Sequence, residues 1–339
     1  MFTAKVKKDL SEITNRIFQA TGTPGIIAQI SVEGEPDLII KRGVANLVTN
    51  EPMNELNAFR IGSVTKTFTG TAVLLLAEEG LINLDSSIAY YLPEKNIPSG
   101  NQITVRMLGT MTSGLYNYSD APELWTPFIS SGYVLEFPPD SLLAISFSHP
   151  MTFAPGAGYE YSNTNTVLLG LLIEKVTGKP AFQVIKERVT DPLQLNDTYW
   201  GGLYFRSTPY TNGYAFEDEG VLNATNWNPS WGYTAGAMIS DLADMKRWAY
   251  HLAEGTLLKE SSRTIMFNTG TNNYGFCVES VKFRSDIWIG HPGSIPGYNT
   301  MVFYNKAKKM TVLISSNTDN KGPANALLIE FIIYMGNNL

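Results

Sequence analysis

The sequence predicts an α+β fold: an antiparallel sheet assembled from both ends of the chain and flanked by the terminal helices, with a mainly helical domain inserted. Three observations carry this. β-rich runs occupy residues 25–44 and return only from about residue 273; the stretch between is rich in helix patterns and in loops carrying Pro, Tyr and Trp; and each end of the chain holds a helical segment. The predicted division is 1–79 with 231–339 for the sheet domain and 80–230 for the helical insertion, with the active site between them.

Each element follows from local pattern. The first segment, ending at Thr21, sets Val6, Leu10, Ile13 and Ile17 at spacings of 4, 3 and 4, the period of one helix face. Gly25 to Val32 and Asp37 to Val44 are β-rich runs separated by Glu33-Gly34-Glu35-Pro36, which reads as an antiparallel hairpin. A helix is expected from Ser63 to about Glu79, stopped by Gly80; its apolar residues cover several faces, as in a buried central helix. Thr164 to Val176, closed by Thr177-Gly178-Lys179-Pro180, is the clearest helix of the middle. Strands are expected at Tyr274 to Val281, Ile287 to Gly290, Tyr298 to Tyr304 and Met310 to Ser315, before a last helix over Ala324 to Met335.

At 339 residues and 44% hydrophobic content the chain can bury a large core. A net charge of -6, with no run of like charges, offers no basic face to a phosphate backbone and excludes nucleic acid as a partner. The single cysteine, Cys277, rules out an intramolecular disulfide and reads as a small buried hydrophobe. His149, His251 and His291 are scattered without zinc-ligand spacing, so neither metal nor cofactor is expected. The opening residues are too polar for a signal peptide, and the apolar stretches around Val73 to Ala77 and Val167 to Ile173 fall short of the roughly 20 residues that span a bilayer. The chain as given is therefore expected to be soluble, either cytoplasmic or the mature form of an exported protein.

Three short segments carry chemistry. In Ser63-Val64-Thr65-Lys66, a Gly-containing turn meets a helix, and residues three apart share a helix face, so the Lys66 amine can reach the Ser63 hydroxyl. Ser-x-x-Lys alone is equally a capped surface helix, but Lys66 lies amid Phe68, Val73, Leu74 and Leu75, where a buried amine without purpose or partner costs several kcal/mol. In Tyr161-Ser162-Asn163, a phenol and an amide stand at a helix entrance; Asn163 also reads as a plain N-cap. A cation at about 4 Å from the phenol, at an effective dielectric of 20, is worth about 4 kcal/mol before desolvation, enough to bring the Tyr161 pKa toward neutrality and make it a general base. In Gly290-His291-Pro292-Gly293-Ser294, Pro292 marks an edge bordering a cleft and Gly293 admits a substrate backbone, while a lone histidine there is commonly structural.

At these three points the chain resembles the penicillin-recognising serine hydrolases: DD-peptidases, class C β-lactamases and their esterase and D-amino-acid peptidase relatives. The motifs come in family order over roughly residues 20–320, joined by Thr112-Ser113-Gly114-Leu115 and by Ala235-Gly236-Ala237-Met238. The resemblance implies the β-lactamase/DD-peptidase fold and an acyl-enzyme mechanism. In it Ser63 is the nucleophile, Lys66 its proton partner, and Tyr161 the base that also protonates the leaving group. Asn163 would bond the substrate amide, and the backbone N–H groups of Ser63 and Ser294 would form the oxyanion hole. Whether Lys66 or Tyr161 takes the serine proton stays open.

The third motif is His-Pro-Gly where class C β-lactamases typically carry Lys-Thr-Gly and DD-peptidases often His-Thr-Gly. The histidine leans toward peptidase-like members and would let charge there vary near neutral pH. Proline lacks the hydroxyl that helps hold a substrate carboxylate in relatives. Arg284 is a candidate replacement anchor, weighed against a plain surface arginine. Met111 stands where many members have histidine and reads as structural. Tyr116, in the loop Leu115 to Asp120, is expected to bind substrate with His291, Gly293 and Ser294, and Trp227 and Trp231 point to an apolar pocket. The expected function is a peptidase or amidase on small or short-peptide substrates with a D-configured residue, of DD-carboxypeptidase or D-aminopeptidase type, with β-lactams as acylating ligands. A family esterase or β-lactamase is the alternative, and a β-lactam-acylated sensor or binding protein the non-enzyme one.

Overall fold

The computed structural model describes residues 2–202, 209–218 and 220–338. Helix α1 (Ala4–Thr21) starts on the side chain of Thr3, which accepts from the Val6 N–H, and ends at Gly22 in the left-handed conformation. Strands β1 (Gly25–Val32), β2 (Leu38–Asn46) and β3 (Glu51–Pro52) follow. Helices α2 (Thr65–Glu78) and α3 (Asn163–Thr177), both largely buried, and the amphipathic α4 (Leu242–Glu254) come next. Strands β4 (Glu279–Phe283), β5 (Asp286–Ile295), β6 (Tyr298–Asn305) and β7 (Met310–Ser316) and helix α5 (Pro323–Asn338) complete the chain.

The seven strands form one antiparallel sheet in the order β3-β2-β1-β7-β6-β5-β4, so its first and last segments meet at the centre, where Ile26 pairs with Ser316 and Val32 with Met310. Side-chain alternation splits the core in two. On one face Ile26, Ala28 and Ile30 of β1 join Val312 and Ile314 of β7 against Leu10 of α1 and Leu327 and Phe331 of α5. On the other, Ile27, Val302 and Leu313 join a larger cluster that runs through Phe68 of α2, Leu168 of α3 and Trp248 of α4. The antiparallel sheet flanked by terminal helices is as predicted.

Two differences bear on the site. Tyr274 to Val281 was expected as one strand, yet only Glu279–Phe283 pairs in the sheet. Residues 274–278 turn instead: the Gly275 N–H bonds the Val278 carbonyl at 2.8 Å, and Cys277 takes a left-handed φ of 57°. Their apolar side chains plug the core beneath α2, where a Cβ on Gly70 would lie 2.5 Å from that of Cys277. Strand β5, expected to stop at Gly290, continues through His-Pro-Gly to Ile295. Strand β4 pairs with it only as far as Gly290, so Pro292 lies on a free edge where its missing N–H costs no bond. The middle also carries short strands, among them Tyr199–Trp200, which pairs with Met238–Ser240, and the hairpin Tyr214–Glu217 with Gly220–Asn223.

Candidate active site

Ser63 stands on the 3-10 turn Gly62–Val64, which leads directly into α2, rather than inside that helix. Two glycines let this turn touch the free edge of β5. Gly62 has φ +50°, and a Cβ there would lie 2.9 Å from the Ser294 nitrogen; a Cβ on Gly293 would lie 2.0 Å from the Ile61 carbonyl oxygen. Ser63 and Ser294 thereby face one cleft of about 340 Å3, lined also by Tyr161, Asn163, Trp231 and Asp319.

Lys66 has no exposed surface. Its Nζ lies 3.0 Å from Ser63 Oγ, 2.6 Å from Asn163 Oδ1 and 2.9 Å from the Ala235 carbonyl oxygen. Burial lowers its pKa from 10.5 to about 7, opposed by the nearby Cys277. Tyr161 hydrogen-bonds Ser63, and its ring centroid lies 4.8 Å from Lys66 Nζ. Burial raises its pKa, against the lowering effect of that hydrogen bond. The expectation that Lys66 brings the phenol toward neutrality is therefore corrected. In a desolvated pair burial disfavours charge on both groups: it eases the loss of the lysine proton and opposes the loss of the tyrosine proton.

The loop after Leu115 clamps Asn163. Its backbone N–H donates to Asn117 Oδ1 at 2.9 Å, and its Nδ2 donates to Ser119 Oγ at 2.9 Å, which leaves Oδ1 turned to Lys66. The N-cap of α3 is Ser162, so capping does not occupy the Asn163 side chain. Tyr116 itself lies outside the cleft lining: its ring stacks on His149 at 4.1 Å, and Asn117 and Ser119 of the same loop face the cleft in its place.

His291 is 1% exposed and also lies behind the lining. Its Nδ1 is 2.6 Å from the Pro292 carbonyl oxygen, which accepts only, so Nδ1 carries the proton and Nε2 accepts from the Tyr274 hydroxyl at 3.1 Å. Burial lowers its pKa to about 3, and whenever Lys66 is protonated its nearby charge acts in the same direction. The expected charge variation near neutral pH does not occur, because the ring is shut away from water. His291 supports Tyr274, whose ring meets that of Tyr161 edge to face at 6.0 Å. Gly293 serves the approach of β5 to Ile61 described above. Arg284 is exposed on the β4–β5 turn and donates to the Gly336 carbonyl at 3.3 Å, so it anchors nothing in the cleft. Met111 and Cys277 are buried in the core.

With this geometry goes a family: the model described as Beta-lactamase matches residues 11–333. The chain belongs to the beta-lactamase family. The D-stereospecific amidohydrolase of Streptomyces sp. superposes with a TM-score of 0.84 at 30% identity, over 94% of this chain and 97% of that one. Esterase EstB of Burkholderia gladioli is 34% identical over 181 residues, 51% of this chain and 46% of the esterase. PbpX of Bacillus subtilis (strain 168) is 27% identical over 274 residues, 79% of this chain and 64% of that protein. The chain thus spans less than two thirds of the length of these two curated relatives. Among the described residues no helix is long and apolar enough to cross a membrane.

Ser119 and Asn117 line the cleft from the Leu115 to Asp120 loop that the sequence singles out. Sequence reasoning missed Ala235, Trp125 and Asp319. Ala235 contributes only a carbonyl, which no side-chain pattern reveals. Trp125 and Asp319 come from segments with no motif around them.

Proposed function

We propose that this protein is a serine amidohydrolase that forms an acyl-enzyme on Ser63 from small amides or short peptides carrying a D-configured residue. The observation that carries the reading is the 3.0 Å contact between Ser63 Oγ and a Lys66 amine that burial brings to a pKa of about 7. An ammonium has three N–H donors; a neutral amine has two and a lone pair. The Asn163 and Ala235 oxygens only accept, so a neutral Lys66 spends its two donors on them and turns its lone pair to the Ser63 hydroxyl. Lys66 is then the base that takes the serine proton as Oγ attacks the carbonyl carbon.

The oxyanion is held by the backbone N–H groups of Ser63 and Ser294, worth about 3 kcal/mol per donor. On collapse the bond to the leaving nitrogen breaks, and the Tyr161 phenol gives that nitrogen its proton, regaining one from Lys66. Water repeats the sequence to release the acid. The same attack opens a β-lactam ring and leaves that compound on Ser63. The preference for D-configured substrates rests on the fold-wide likeness to the amidohydrolase, which extends over 94% of the chain.

The test is rapid-quench mass spectrometry with D-phenylalanine amide, its L enantiomer and p-nitrophenyl butyrate, on the natural enzyme and on Ser63→Ala. The expected result is an acyl adduct on the peptide holding Ser63, faster turnover of the D amide than of the L, and none of either in Ser63→Ala. Persistent turnover in that variant, or preference for the L amide, overturns the reading. The 34% identity to an esterase favours ester hydrolysis as a second reading, and a kcat/KM higher for the butyrate than for any D amide would select it.

A further inference from the structure

Among the described residues lining the Ser63 cleft, Asp319 is the one with an acidic or basic side chain other than the phenol of Tyr161. The rest of the lining is hydroxyl, amide, aliphatic or aromatic, and Lys66 is sealed behind it. A substrate carboxylate would find no cation there. Asp319 sits just beyond β7, and its Oδ1 accepts from the Gly297 N–H at 3.0 Å, in the turn that follows Ser294 and Ile295. That bond ties the carboxyl to the hairpin that also carries the cleft wall.

Past Asp319 the cleft adjoins a second hollow of about 310 Å3 that shares Trp125, Pro296 and Asp319 with it. Its other walls include Tyr133 and Trp227, stacked at 3.6 Å, and Glu217. Aromatic faces and carboxylates together attract a cation and give an anion nothing. Burial raises the Asp319 pKa above its ordinary 3.8, against the lowering effect of the Gly297 N–H bond and with a smaller push from Glu217, and a bound cation would offset that cost of burial.

We propose that Asp319 is the specificity residue that receives a protonated amine of the substrate, and that this cleft takes amine-bearing amides and peptides in preference to carboxylate-terminated ones. The inference rests on acylation at Ser63 as proposed above. It makes the aminopeptidase or amidase type the one this cleft fits, and the carboxypeptidase type the one it opposes.

Three p-nitrophenyl esters of equal chain length test it, one ending in trimethylammonium, one in its neutral tert-butyl isostere and one in carboxylate. In the natural enzyme kcat/KM should fall in that order, by about tenfold or more from first to last, and added salt should shrink the spread. Asp319→Asn keeps the acceptor for Gly297 and removes the charge, so the ratio of cationic to anionic kcat/KM should drop by about tenfold, and acylation by benzylpenicillin, an anion, should speed up. D-Phenylalanine amide should likewise lose its advantage over its N-acetyl derivative. Preference for the anionic ester in the natural enzyme overturns the proposal, as does a ratio that Asp319→Asn leaves unchanged. The salt dependence reads the charge without the variant should that fold poorly. Because the esters report charge preference whether or not D amides are turned over, failure of the D-amide reading stays distinct, and persistent turnover in Ser63→Ala marks failure of the acylation itself.

Discussion

Asn163 Oδ1 sits 2.6 Å from Lys66 Nζ and is fixed there because the other end of the amide donates to Ser119 Oγ at 2.9 Å. An amide oxygen accepts from an amine without requiring it to be charged. A carboxylate at the same place would favour the ammonium. Asn163→Asp should therefore raise the Lys66 pKa by about one to three units, lower kcat/KM at pH 7 by about ten- to a hundredfold, and move the rising limb of the pH–rate profile upward. A profile in the original place would separate Lys66 from the titration.

The natural enzyme has its own pH signature. If the neutral amine is the base, kcat/KM falls as pH drops below about 7, the pKa that burial gives Lys66. Stability moves with it. Unfolded, Lys66 holds its proton up to about 10.5; folded, it releases it near 7, so between these values the unfolded state binds more protons and stability rises with pH. From pH 7.5 to 9.5 the contribution is about 3 kcal/mol at 1.36 kcal/mol per unit. Urea denaturation at both pH values, compared with Lys66→Met, should show that gain in the natural protein and its loss in the variant. Equal pH dependence in the two would mean that the lysine stays charged when folded.

Tyr161 keeps its proton and faces the cleft beside Ser63, so its removal should cost most where the leaving group needs that proton. Tyr161→Phe is expected to slow amide hydrolysis by about two to four orders of magnitude. A p-nitrophenolate leaves without protonation, so the corresponding ester should lose about tenfold or less. An equal loss on both substrates would assign the tyrosine to serine activation.

Much of this arrangement is legible in the sequence because it rests on local period and spacing. Val6 and Leu10 recur at the helical repeat and Ile26, Ala28 and Ile30 at the strand repeat, and both sets meet in one core. Ser63 and Lys66 are found together because three residues of helix-like chain bring them to 3.0 Å, and an amine inside an apolar run asks for a reason. The failures share one physical cause, that depth is not written locally. Phe276, Cys277 and Val278 are apolar because they fill the space under α2, and an apolar run of that length looks like a strand. His291 loses its charge through the burial of its whole surroundings, including Tyr274 and Lys66. Asp319 reaches the cleft only once β7 has crossed the sheet, and no neighbour in sequence marks it.

Gly293 offers the sharpest separation of catalysis from stability. A methyl there would stand 2.0 Å from the Ile61 carbonyl oxygen, a backbone atom that cannot swing aside, so Gly293→Ala must push β5 away from the turn holding Ser63. Overpacking of this kind costs about 1–3 kcal/mol. The adjoining Ser294 N–H moves with the strand, and a shift of about 1 Å in a donor of this sort costs about a hundredfold in rate. Gly290→Ala meets an equally rigid obstacle, the Val302 oxygen at 1.9 Å, on the same strand but against β6. Thermal melts should show both variants destabilised to a similar degree. Single-turnover acylation, measured well below either midpoint, should show the large loss of rate in Gly293→Ala alone. Similar rates in the two variants would mean that the Ser294 N–H takes no part in holding the oxyanion.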